Sequence, residues 1–95
     1  MIYEWEPKKA KANLRKHRVS FEEAATVFLD PLAVTYPDPD HSGDEMREIT
    51  VGHSARQRVI FLYHTQRRDR IRIIGARKAT SRERRQYEES IGKEK

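Results

Sequence analysis

The residues best equipped for chemistry are the arginines of the second half, among them Arg47, Arg72, Arg77 and Arg84, interleaved with Glu48, His53, His64 and Glu83. Guanidinium offers a planar fork of donors that fits a phosphate and keeps its charge at neutral pH. Lys16, His17 and Lys78 extend the set. Together these types suit metal-free cleavage of RNA. A base takes the proton of a ribose 2′-hydroxyl, which attacks the adjacent phosphate. Cations hold the extra negative charge of the pentavalent state, and an acid protonates the leaving 5′-oxygen. Histidine suits either proton-transfer role because it titrates near neutrality. Spacing alone does not choose among these residues.

Each candidate also has a plainer reading. Arg72 lies between Ile71 and Ile73, so strand alternation sends it to the face opposite those two side chains. Arg77 and Lys78 stand where a strand ends and the last helix begins. There they and the amides after Thr80 can receive a phosphate, or pair with Asp or Glu. Asn13 and His17 are one helical turn apart and read first as a helix-packing pair. Glu48 is a base or a solvated glutamate, Glu83 is first a capping residue, and Tyr87 first a packing one. Trp5, Phe21, Phe28 and Phe61 read as core. His41, Asp38, Asp40 and Asp44 share one loop without the spacing of a metal site. No phosphate-cradling glycine loop or nucleophile elbow is present. The sequence therefore calls for no metal and no cofactor.

Length and charge narrow the classes. Ninety-five residues suit a single domain, folded over 1–91 with a frayed tail at 92–95. Residues 1–45 hold six basic and nine acidic side chains, a balance of −3; residues 46–95 hold fourteen and six, a balance of +8. The basic half points to a polyanion, nucleic acid first, with a solvated surface as the alternative. No cysteine is present, which excludes a disulfide scaffold and a thiol nucleophile and fits a reducing, cytoplasmic setting. No apolar run reaches the length of a membrane span, and the first residues do not read as a secretory signal.

These side chains must be positioned by a short list of elements. Ile2–Trp5 alternates as a strand. Pro7 opens a helix running to His17, with Ala10, Asn13, Leu14 and His17 on one face. Ser20 and Glu23 form a capping box for a second helix, which Asp30-Pro31 ends. Leu32–Tyr36 favours a strand, and residues 37–45 form an acidic, turn-rich loop. Residues 47–52, 58–65 and 71–76 make an antiparallel meander. Thr80 and Glu83 cap a last helix. The pattern predicts an α+β fold: a small antiparallel sheet of three to four strands plus the short N-terminal strand. Two N-terminal helices and one C-terminal helix pack on one sheet face.

Several ordered strings carry a family likeness. Tyr3-Glu4-Trp5-Glu6, Asn13-Leu14-Arg15-Lys16-His17, Val19-Ser20-Phe21-Glu22-Glu23-Ala24 and Val27-Phe28-Leu29-Asp30-Pro31 resemble the BrnT toxin family. Arg47 with Val51-Gly52, then Ile71 through Thr80 with Glu83-Arg84 and Tyr87-Glu88, complete the match. Arg18 stands where glycine is usual, Glu6 for aspartate and Gly75 for serine. The resemblance implies a RelE-like fold and the toxin of a bacterial type II toxin–antitoxin pair. That toxin would be a growth-inhibiting ribonuclease, neutralised by a BrnA-type antitoxin whose complex binds operator DNA. It implies catalytic positions at His17, Arg47, Glu48, Arg72, Arg77 and Arg84, with Lys16 and Lys78 binding RNA. The alternatives are a non-catalytic nucleic-acid-binding module and an inactive relative kept for complex formation.

Overall fold

The computed structural model describes residues 2–40 and 46–92. Most of the expected acidic loop's tip (41–45) and the end of the expected tail (93–95) lie outside the described residues. The elements run β1 (Ile2–Glu4), α1 (Pro7–His17), α2 (Phe21–Ala25), a 3-10 turn (Thr26–Leu29), β2 (Val34–Pro37), β3 (Arg47–His53), β4 (Val59–Arg67), β5 (Arg70–Lys78) and α3 (Ser81–Gly92). The strands form one sheet in the order β1-β5-β4-β3-β2. The meander is antiparallel, whereas β1 joins β5 in parallel, Tyr3 opposite Ile71. The sheet is thus mixed. Most of the chain separates β1 from β5, so no tight turn forces them to run oppositely.

Alternation along the strands builds two faces. On one, Ile60, Leu62, Ile73 and Ala76 meet Val19, Phe21, Ala24 and Val27 from the N-terminal helices. Trp5 packs edge-on against Phe21, and Tyr3 stacks on Phe28. Asn13 ties α1 to the sheet: its amide donates to the Val19 and Ala76 carbonyls at 3.0 and 2.8 Å and accepts from the Ala76 N–H at 3.1 Å. The plainer reading of Asn13 therefore holds. Leu14, expected on the same buried stripe, is 49% exposed. On the other face Ile49, Val51 and Val59 meet Tyr87, with Phe61 and Ile91 beside them. This corrects the expectation of helices on one face. Ile49, Val51, Val59 and Phe61, at odd positions of β3 and β4, are apolar too, so the second face also needs cover, and α3 supplies it.

Local chemistry fixes the joints. Arg18 ends α1 in the left-handed region at φ 60°, its N–H reaching the Leu14 carbonyl. Ser20 Oγ accepts from the Glu23 N–H at 3.0 Å, as the capping box requires. The Glu23 carboxylate does not reach back, however. It is buried and accepts from Ser54 Oγ at 2.7 Å and from Arg58. A buried carboxylate is better satisfied by a guanidinium than by one amide. Arg58 holds its pKa below the ordinary glutamate value, against the opposing effect of burial. Gly52 lets the 3-10 turn approach: a Cβ there would lie 2.9 Å from Ala33 Cβ and 3.0 Å from Val27 Cγ1.

Candidate active site on the sheet

The face that carries α3 is only partly covered, and its strand register sets out three rows of side chains. Arg47, Thr65 and Arg72 stand side by side at one end. Tyr36, Ile49 and Tyr63 form the middle row. Val34, Val51, Phe61 and Arg77 form the third. Directly opposed residues in neighbouring antiparallel strands share a face. Along β4 the outer rows are four residues apart, about 13 Å at the usual strand rise.

Arg77 is firmly held on this face. Its two terminal nitrogens donate to the two oxygens of Glu83 at 2.8 and 3.0 Å, and its guanidinium lies 4.4 Å from the centre of the Phe61 ring. Glu83 also accepts from the Thr80 N–H at 2.9 Å, while Thr80 Oγ1 accepts from the Glu83 N–H at 3.1 Å. The second capping box is therefore closed, and the helix terminus proposed for a phosphate already holds a carboxylate. The hydrogen bonds from Arg77 push the Glu83 pKa down to about 2, and Thr80 adds to the effect. Glu83, helped by Tyr63, raises Arg77 above the ordinary arginine value despite the cost of burial. Burial, and then the neighbouring Tyr63, raise the Tyr36 phenol. Tyr36 is thus a protonated donor at neutral pH.

The remaining arginines of this face differ. Arg72 donates to Glu4 Oε2 at 2.7 Å across the β1–β5 pairing. The guanidinium of Arg47 has no ion-pair partner among the described residues.

The other sequence candidates fall elsewhere. Glu48 follows Arg47 on β3, so it points to the opposite face, opposite His64 in the register. His64 is buried there, 2.7 Å from Thr50 Oγ1 and edge-on to Phe28, and burial lowers its pKa. Lys16 and His17 close α1, which packs on that same side over β5. Lys78 alternates away from Arg77 and is exposed. Arg84 sits on α3, 3.8 Å from Glu88, which in turn lies 3.9 Å from His53. His53 also meets Asp30 at 3.6 Å, at the far end of β3 from Arg47. The structure therefore brings Arg47, Arg72 and Arg77 to one face and separates them from His17, Glu48, Lys16, Lys78 and Arg84. Tyr36 and Tyr63 were missed. Alternation with Phe61 marks Tyr63 in the sequence, but Tyr36 joins it only through the β2–β3 register.

Fold and site define a class: a small α+β domain whose mixed sheet presents a cationic, tyrosine-bearing face beside its last helix. The chain belongs to the BrnT family, the ribonuclease toxins of type II toxin–antitoxin systems, whose family model matches residues 5–83. It is similar in fold to the Brucella abortus ribonuclease toxin BrnT, known from a crystal structure at 1.1 Å resolution. The two agree with a TM-score of 0.66 at 18% identity, over 85% of this chain and 100% of that one. No curated protein matches the sequence.

Proposed function

We propose that the chain is a metal-independent endoribonuclease toxin that cuts RNA by attack of a ribose 2′-hydroxyl on the neighbouring phosphate. The observation that carries this reading is the convergence of Arg47, Arg72 and Arg77 with Tyr36 and Tyr63 on one sheet face. Arg47 and Arg72 grip one part of the strand and Arg77 another. Arg47 and Arg72 stabilise charge as the phosphorus of the phosphate they hold becomes pentavalent, while Arg77 holds a different phosphate of the strand. Tyr36, kept protonated by its surroundings, gives a proton to the leaving 5′-oxygen, and a solvent water held on the arginine face takes the proton of the attacking 2′-hydroxyl. The proton-transfer roles of His17 and Glu48 pass in this reading to groups on the arginine face. Family membership supports an antitoxin partner, which we take to be of the BrnA type, with operator DNA bound through the complex in the cytoplasm.

The test uses purified protein, end-labelled RNA and excess chelator. Fragments ending in 2′,3′-cyclic phosphate are expected, with Arg47→Ala and Arg72→Ala slowing their appearance by about 10²–10³-fold each if each acts as a charge-stabilising donor. A shifted but uncut RNA band would refute the nuclease and leave a binding module. That second reading has one observation in its favour: Arg72 and Arg77 are both already ion-paired within the chain. Co-expression with a BrnA-type antitoxin should give a stable complex that restores growth; separate elution and continued arrest would remove that partner.

A further inference from the structure

We propose that the groove between β2 and α3 is a subsite for one unpaired nucleobase of the RNA, with Gln86 and Ser90 selecting the base. This rests on the ribonuclease reading above. The groove has a volume of about 420 Å³, with Val34, Tyr36 and Val51 on the sheet side, Phe61 at its floor, and Gln86 and Ser90 on the helix side. Its apolar walls are open to solvent: Val34 is 47% exposed and Tyr36 37%. Flat heterocycles bind such sites by packing on aliphatic and aromatic surfaces while their edges meet a few polar groups. The Gln86 amide supplies a donor and an acceptor, and the Ser90 hydroxyl can play either part. Neither has a hydrogen-bond partner among the described residues.

The groove also adjoins the cationic band. Glu83 lines it while holding Arg77, and Arg77 lies over the same Phe61 ring that floors it. A nucleotide whose phosphate meets Arg77 therefore has its base beside the groove. Continuity with a polyanion-binding face favours a nucleobase over a peptide strand added to the exposed β2 edge.

Two variants test this, Val34→Trp to fill the groove and Gln86→Leu to remove its amide. Both positions are exposed, and unchanged thermal melting verifies the fold. Two readouts are needed: the base profile around the cut in a randomised RNA pool, and the affinity of an uncleavable 2′-O-methyl tetranucleotide. Val34→Trp should weaken the oligonucleotide at least about tenfold, close to 1.4 kcal/mol. Gln86→Leu should change the preferred base at one position only. If the native chain cuts RNA and both variants keep its base profile and affinity, the subsite is overturned while the nuclease stands. If the native chain does not cut but Val34→Trp still weakens the oligonucleotide, the nuclease fails and the subsite stands. Loss of antitoxin binding with an unaltered base profile and affinity would assign the groove to a protein and refute the proposal.

Discussion

Replacing Glu83 with glutamine keeps the shape of the Arg77 clamp and removes its charge. The Glu83 pKa falls from 4.5 to about 2 in the folded chain. At about 1.4 kcal/mol per unit that sets a ceiling of about 3.5 kcal/mol. The two side chains are 31% and 28% exposed, so solvent screening reduces the pair to about 1–2 kcal/mol. The sign follows from linkage. A carboxylate with a depressed folded pKa stabilises fully above its unfolded value, and that stability is lost as the pH falls from 4.5 toward 2. The assay is a double-mutant cycle by urea denaturation, using Glu83→Gln, Arg77→Met and both together. Methionine keeps an apolar stem over Phe61. A coupling of about 1–2 kcal/mol is expected at neutral pH, shrinking to a small residue near about pH 2.5. Coupling below about 0.5 kcal/mol at neutral pH, or coupling unchanged in acid, would refute the electrostatic account of the clamp.

Asn13→Ala removes two hydrogen bonds from α1 to the strand it covers and a third to the Val19 carbonyl, so a loss of about 3 kcal/mol is expected at roughly 1 kcal/mol each. A shift in the urea midpoint worth less than about 1 kcal/mol would show that water or another side chain replaces the amide. His64 resists protonation in the folded chain, so the unfolded state takes up the proton first as the pH drops below 6.5. The melting temperature should therefore fall between pH 7 and 5 more steeply in the native chain than in His64→Gln; equal slopes would place the titrating group elsewhere.

How far the sequence foretells this molecule varies with the kind of force involved. The meander and the side of Arg72 follow from alternation alone, because Ile71 and Ile73 must be buried and Arg72 lies between them. The capping box at Thr80 and Glu83 is equally local, and it closes as read. Glu23 occupies the same motif, yet its carboxylate turns inward to Arg58, thirty-five positions away; no local pattern contains that partner. The placement of α3 is a similar case. Tyr87 and Ile91 mark an apolar stripe, but which sheet face takes it depends on the competing claims of α1 and α2. The candidate site residues were legible as residue types and not as a constellation. Adjacent positions such as Arg47 and Glu48 point to opposite faces of a strand, so nearness in the chain separated them in space.

The parallel seating of β1 has a consequence for the birth of the molecule. Tyr3 leaves the ribosome well before Ile71, its neighbour in the sheet. Until that distant segment emerges, the leading strand has no edge to join, and closing so long a loop is slow. The arginine-bearing surface, which needs Arg72 and Arg77 from that same segment, therefore cannot assemble until β5 has emerged.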